Sequence, residues 1–156
     1  QQSIVWNIFM GKELRYPFGF IREKEQIREA NRLIREIGFT SELINADSPV
    51  GNLSGGERQG VAIARAIYNN AELIILDEPT NNLSLNETQK VFDFVLNVKK
   101  SNRSVLFIGH NIYHVYDISD RFVILDRGEV VHQINKEDID TPEELMKIMR
   151  DTIKSH

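Results

Sequence analysis

The sequence predicts an α/β protein in which helices come first and strands then alternate with helices. Up to about residue 60 the apolar residues recur at helical spacing. Two apolar runs, Leu73–Leu76 and Val105–Ile108, are then of strand length and do not alternate with polar residues. Such runs are typical of parallel strands that are covered on both faces. We therefore expect a helical subdomain that leads into a half-sheet of mostly parallel strands with flanking helices.

Two helices are expected before the first strand. Apolar residues recur at helical spacing from Ile27 to Ile37, and Gly38 is placed to end that helix. A second helix is expected at about 56–69. Residues 1–20 give no clear pattern.

Helices and strands should alternate after residue 73. Ser84 and Glu87 form the S-x-x-E pattern of a capping box, which opens a helix. The elements expected after that helix are a buried strand at 104–108, a short helix at 111–119, a strand at 122–125, its hairpin partner at 129–133 and a terminal helix from about 142.

The composition restricts the class of protein. The chain has 156 residues, of which 41% are hydrophobic and 27% charged, as in ordinary soluble globular proteins. The net charge of −4 argues against a general nucleic-acid binder, and the lack of cysteine excludes disulfides and thiolate metal sites. We expect Trp6, Phe9, Phe18 and Phe20 to pack in the core or at an interface rather than to stack on bases.

Residues 53–59 read LSGGERQ and place two glycines at an expected helix start. Backbone amides at a helix start can donate to a phosphate, and Gly55 and Gly56 allow a close approach. The same residues also fit a plain capping box with Ser54 as N-cap and Glu57 three residues later. Taken alone, these residues favour the capping-box interpretation.

The first apolar strand ends in two adjacent carboxylates, Asp77 and Glu78. Carboxylates at the end of a strand can hold Mg²⁺ and orient a water molecule. Adjacent residues on a strand point to opposite faces, so we expect the two side chains to differ in role. The alternative is a pair of exposed carboxylates that cap a neighbouring helix.

Together, LSGGERQ at 53–59 and LIILDEPT at 73–80 resemble the signature and the Walker B strand of ABC transporter ATP-binding subunits. The segments at 7–13, 120–128 and 144–149 are similar to the carbohydrate (simple-sugar) importer branch of that family. No G-x-x-x-x-G-K-[ST] phosphate loop, or Walker A motif, occurs in the 156 residues. The resemblance therefore covers the second part of such a subunit.

This resemblance implies two domains and a composite ATP site. Residues 1–60 correspond to the helical subdomain with the signature motif. Residues 61–156 correspond to the C-terminal part of a P-loop ATPase core, with Walker B, the D-loop, a switch histidine and the terminal helix. The family assigns contacts to ATP, from the signature or across a dimer, to positions that are here Ser54, Gly55, Gly56, Gln59 and Ser84.

The resemblance also implies catalytic and metal-binding roles. Asp77 corresponds to the Mg²⁺ residue, Glu78 to the residue that orients the attacking water, and His110 to the switch histidine that contacts the γ-phosphate. Without the family context, a histidine at the end of a strand is most often an ordinary polar residue.

The function implied is that of an ATP-binding and ATP-hydrolysing subunit that drives import of a carbohydrate. Its expected partners are a second ATPase subunit in a two-fold dimer and transmembrane permease subunits, without nucleic acid. Its expected location is cytoplasmic, on the inner face of the cell membrane. Residues 1–156 alone are expected to bind ATP weakly and to be inactive, because the phosphate loop is missing. The alternatives are a non-catalytic signature-bearing domain that docks on a partner ATPase and a non-transport ABC ATPase.

Overall fold

The computed structural model describes residues 2–155, with side chains described to residue 152. These residues form α1 (Ile4–Phe9), α2 (Glu23–Glu36), α3 (Gly55–Tyr68), β1 (Leu73–Asp77), α4 (Leu85–Lys100), β2 (Ser104–Ile108), α5 (Ile112–Ile118), β3 (Arg121–Asp126), β4 (Glu129–Asn135) and α6 (Pro142–Ser155). Among the described helices, none is both long and apolar enough to cross a membrane. The α/β class and the order of elements are as predicted from residue 23 onward.

The chain divides into two compact units between Leu106 and Phe107, and each unit is described by itself. The boundary predicted between 1–60 and 61–156 follows family motifs and stays a prediction.

Helix α3 is the centre of the first unit, where it contacts α1, α2 and α4. The packing is close at Gly60, where a Cβ atom would lie 2.5 Å from Cε2 of Phe94 and 2.6 Å from Cε2 of Phe39. The rings of Phe39 and Phe94 stack with centroids 5.1 Å apart. The fully buried apolar side chains of this unit include Ile4, Ile8, Phe9, Leu33, Ile34, Ile63, Val91, Val95 and Val98.

Helix α1 and the loop after it differ from the sequence prediction. Helix α1 has only six residues, too few for a periodic pattern, although it buries Phe9 as expected. Phe18 and Phe20 are 90% and 74% exposed, and Trp6 is about half exposed. The two phenylalanines are exposed because they lie on a tight turn, in which the Tyr16 amide donates to the Phe20 carbonyl (2.8 Å).

The strands of the first sheet are covered on one face only. Strands β1 and β2 are neighbours in a two-stranded sheet. Ile74 and Leu76 are buried, whereas Leu73 and Ile75 are 53% and 59% exposed. The prediction that this run is buried on both faces is therefore wrong for β1, and β2 likewise alternates between half-buried and exposed residues. Among the described residues, one face of β1 is therefore buried, and its other face keeps its apolar side chains exposed.

The second unit contains an antiparallel hairpin formed by β3 and β4. Arg127 and Gly128 connect the strands with φ values of 48° and 87°. Two successive positive φ values are typical of the type I′ turn, whose twist matches that of paired strands. The sequence predicted this turn and this pairing. The hydrophobic core of the unit is formed by Phe122, Ile139 and Leu145.

Candidate functional site

The signature segment forms the capped start of α3. The hydroxyl oxygen of Ser54 accepts from the Glu57 amide (3.3 Å), and Oε2 of Glu57 accepts from the Ser54 amide (2.9 Å). Both halves of the capping box are therefore present. The hydroxyl of Ser54 keeps its own hydrogen as a donor, because it uses only an oxygen lone pair in the cap. The capping role and a phosphate-binding role are thus compatible.

The two signature glycines are also closely packed. A Cβ atom at Gly55 would lie 2.3 Å from Cδ2 of Leu83, and one at Gly56 would lie 2.6 Å from the carbonyl oxygen of Glu87. Both distances are shorter than van der Waals contact allows. The neighbour of Gly56 is backbone, so the start of α3 can approach the start of α4 this closely only with glycine at position 56, whereas the neighbour of Gly55 is the end of a flexible side chain.

The first amides of α3 differ in their partners. The Gly55 amide donates to Oε1 of Glu87 at 2.7 Å. The Gly56 amide has no acceptor among residues 2–155. Gln59 lies one turn further along α3 and is partly buried. The helix dipole favours an anion at such a terminus, and the Gly56 amide is the backbone donor left for it.

The start of α4 meets the start of α3 through Glu87. Ser84 caps α4, and its amide and hydroxyl donate to Oε2 of Glu87 at 3.0 and 2.9 Å. The other oxygen of Glu87 accepts from Gly55 of α3. The structure therefore brings Ser54, Gly55 and Ser84 together. The sequence predicted both capping boxes, although nothing in it indicated that one carboxylate serves both helices.

Two glutamates at this junction have shifted acidities. The Ser84 amide, the Ser84 hydroxyl and the Gly55 amide lower the pKa of the Glu87 carboxyl. Partial burial raises the pKa of Glu57, but hydrogen bonds from Lys90 and Ser54 outweigh it and the net pKa is lowered. Both carboxylates are therefore charged at neutral pH.

The two predicted catalytic carboxylates follow each other at the end of β1. Asp77 is the last residue of the strand and is exposed. Glu78 is partly buried and has a φ of 48°, in the left-handed region. The expectation based on strand alternation does not apply to Glu78, because Glu78 lies outside the strand and the following turn sets its direction. In that turn the Asn81 amide donates to the Glu78 carbonyl at 3.1 Å.

These carboxylates have the donor chemistry that Mg²⁺ requires. Mg²⁺ is usually held by one or two protein carboxylates together with phosphate oxygens and water. Among the described residues no cluster of three or more metal-ligating side chains occurs. Asp77, the predicted metal ligand, supplies a carboxylate of the kind that fits a magnesium ion shared with a nucleotide.

His110 belongs to the second unit. It is exposed and follows the last residue of β2 by two positions. The next residue, Asn111, caps α5 by accepting from the His114 amide at 3.4 Å. The catalytic role of His110 stays a prediction.

The comparison with known families covers the two motifs of the first unit. The sequence profile of the family described as ABC transporter matches residues 2–81, about half of the chain. The chain belongs to the ABC transporter family. The matched residues include both the start of α3 and the end of β1.

Curated relatives of this ABC transporter chain include sugar import proteins. The xylose/arabinose import ATP-binding protein XylG of Sulfolobus acidocaldarius is 39% identical over 146 residues, which are 94% of this chain and 57% of that protein. The ribose import ATP-binding protein RbsA 2 of Escherichia coli O157:H7 is 32% identical over 147 residues, which are 94% of this chain and 28% of that protein. The chain thus spans little more than half of the first relative and less than a third of the second.

A solved structure has the same fold. A nucleotide-free ATP-binding cassette from an ABC transporter aligns with a TM-score of 0.74 and 20% identity, over 94% of this chain and 59% of that one. This similarity supports the fold prediction made from the sequence, including the flanking helices.

Proposed function

We propose that this chain is part of the ATP-binding and ATP-hydrolysing subunit of an ABC importer for a simple sugar. The observation that carries the proposal is the combination of a capped, glycine-rich start of α3 with two carboxylates directly after β1. The names of the relatives, which are import proteins for xylose, arabinose and ribose, support a sugar as the transported molecule.

The start of α3 would bind the terminal phosphate of ATP. The Ser54 hydroxyl and the Gly56 amide are its candidate donors, and the helix dipole favours the phosphate charge. Gln59 lies one turn along α3 and Ser84 is the N-cap of α4, so both residues would line the same surface. By family resemblance, this ATP is held by a second copy of the subunit, so the working form is a two-fold dimer.

The end of β1 would act on the ATP held by the chain's own subunit. Asp77 would hold Mg²⁺, which when bound neutralises charge on the phosphates. Glu78 would accept a hydrogen bond from a water molecule and hold it in line with the γ-phosphate. By family resemblance, His110 would donate to the γ-phosphate of ATP. Hydrolysis would then drive the permease partner at the inner face of the membrane.

Replacement of Glu78 tests the enzymatic part of this proposal. In the full-length protein, Glu78→Gln should lower steady-state ATP hydrolysis by about 10²-fold or more while ATP binding persists, because the amide cannot accept a proton from water. Glu72→Gln removes an exposed carboxylate one residue before β1 and serves as the matched control. Hydrolysis by Glu78→Gln within about twofold of the parent would exclude Glu78 as the catalytic base.

Uptake measurements test the transported substrate. A host strain that lacks the gene should lose uptake of labelled xylose, arabinose or ribose and regain it when the full-length gene is returned. The Glu78→Gln gene should fail to restore uptake. Normal uptake of all three sugars in the deletion strain would contradict their assignment as substrates.

A further inference from the structure

The carboxylate of Glu87 serves two helix starts at once. Its Oε2 accepts from the amide and the hydroxyl of Ser84, at 3.0 and 2.9 Å, and so caps α4. Its Oε1 accepts from the Gly55 amide at 2.7 Å, and so also satisfies the first amide of α3. Short bonds from backbone amides to a charged carboxylate are among the stronger hydrogen bonds in proteins.

The carboxylate of Glu57 links the same two helices in the opposite direction, from α3 to α4. Its Oε2 accepts from the Ser54 amide at 2.9 Å and caps α3. Its Oε1 accepts from the ammonium group of Lys90 on α4 at 2.7 Å. Each capping glutamate therefore uses one oxygen for its own helix and the other for the neighbouring helix.

Packing at this junction leaves the two helix starts little room to slide. The position of a Cβ atom at Gly56 lies 2.6 Å from the Glu87 carbonyl oxygen. A relative movement of the two starts would either press Gly56 against this carbonyl or break the bonds of Glu57 and Glu87.

We propose that Glu87 is a positioning residue that makes the starts of α3 and α4 move as one body. This rests on the proposed function, in which Ser54 faces the ATP held by a second subunit. Only residues 79–83 separate Ser84 from Glu78, and they form a hydrogen-bonded turn with bonds of 3.1 and 3.3 Å. A phosphate that shifts the start of α3 thereby shifts the start of α4 and the backbone that carries Glu78.

The consequence is a link between the two ATP sites of a dimer. Ser54 and Glu78 of one chain serve different ATP molecules in a two-fold arrangement, so a bridge between them couples one site to the other. A glutamine at position 87 retains one acceptor oxygen, whereas the observed bridge uses two. Glu87→Gln can therefore accept from the Ser84 amide or from the Gly55 amide, but not from both.

The bridge itself is tested by amide hydrogen exchange in the full-length protein without nucleotide. Either the Gly55 amide or the Ser84 amide should exchange about tenfold faster or more in Glu87→Gln than in the parent. Gln89→Ala, on an exposed position of the same helix, is the control and should leave both rates unchanged. Unchanged rates of both amides in Glu87→Gln would contradict the bridge, whatever the enzymatic activity.

The positioning role is tested by the dependence of hydrolysis and dimerisation on ATP concentration. The parent should hydrolyse ATP cooperatively, and Glu87→Gln should lose this cooperativity and need about fivefold more ATP or higher to dimerise. ATP affinity of the monomer should stay within about twofold, which a general loss of structure would not allow. Faster exchange at either amide with parental cooperativity would overturn the positioning role. A parent without ATP hydrolysis would overturn the proposed function and the positioning role together, while the exchange result would still decide the bridge.

Discussion

At the scale of single residues, the backbone of Glu78 is the least ordinary feature of the site. Its φ of 48° lies in the left-handed region, which side chains other than glycine enter at a cost of about 1–2 kcal/mol. Residues held in this way are concentrated at functional sites, where the surrounding structure fixes them. Here the buried Pro79 and the bond from the Asn81 amide to the Glu78 carbonyl hold the turn.

A pair of substitutions should reveal this strain. Glu78→Gly and Glu78→Ala both remove the carboxylate, but only glycine relieves the backbone. We expect Glu78→Gly to be more stable than Glu78→Ala by about 1 kcal/mol in chemical denaturation. Equal stability of the two variants would show that the turn does not strain this position.

The site residues divide into those that the sequence could predict and those that it could not. Ser54, Asp77 and Glu78 lie in contiguous motifs, so the residues next to them in the sequence were enough to predict them as site residues. The bond between Gly55 and Glu87 joins residues 32 positions apart, and only the crossing of α3 and α4 brings them together. No local pattern encodes such a crossing.

At the scale of elements, the junction of α3 with α4 depends on small residues. An alanine normally stabilises a helix by about 1 kcal/mol relative to glycine. Gly60 is an exception, because its Cβ position lies 2.5 Å from the ring of Phe94. An alanine at position 60 would therefore stabilise the protein through helix propensity and destabilise it through packing against α4.

Two substitutions in α3 test which effect is larger. Gly60→Ala should destabilise the protein by about 1–3 kcal/mol, because the added methyl group forces the rings apart. The reverse change at an exposed position, Ala62→Gly, should cost about 1 kcal/mol through helix propensity alone. Stabilisation by Gly60→Ala in thermal or chemical unfolding would mean that Phe39 and Phe94 can move aside.

The ion pair between Glu57 and Lys90 should give stability a specific dependence on pH. The pKa of Glu57 is lowered from its ordinary value of 4.5 in the folded protein. The charged carboxylate therefore contributes fully to the free energy of unfolding above pH 4.5, and this contribution is lost as the pH falls through the folded pKa. The free energy of unfolding should therefore decline below about pH 4.5. This decline should be shallower in Glu57→Gln and in Lys90→Met. Denaturant titrations at several pH values give the free energy of unfolding of the parent and the two variants. The same dependence on pH in all three proteins would contradict the pairing.

Elements were predicted from the sequence where caps or long periodic patterns mark them. Helices α3 and α4 carry capping boxes, and α2 ends near Gly38, whose φ is 111°. Helix α1 carries neither signal. The burial of β1 was predicted wrongly. An apolar run shows that both faces of a strand can be buried, but it does not show whether other residues cover both faces.

At the scale of the whole molecule, the start of α3 should govern assembly. Ser54→Arg would place bulk and positive charge where the phosphate of a second subunit's ATP is proposed to bind. In the full-length protein it should prevent ATP-dependent dimerisation without unfolding the monomer, since Ser54 is only partly buried. Gln89→Arg adds the same side chain on an exposed position of α4 and should dimerise normally. Sedimentation that shows ATP-driven dimers of Ser54→Arg would exclude this surface from the interface.

The reciprocal contacts of Glu57 and Glu87 also bear on how such sequences can diverge. A lineage that replaces Lys90 with an uncharged residue leaves one oxygen of Glu57 without its partner on α4. A second change at position 57 then costs less than before, because that carboxylate no longer joins the helices and keeps only its capping bond from the Ser54 amide. Among descendants, residues 57 and 90 should therefore change together, although 33 positions separate them. Position 87 should vary least of the three, because its replacement disturbs both helix starts at once.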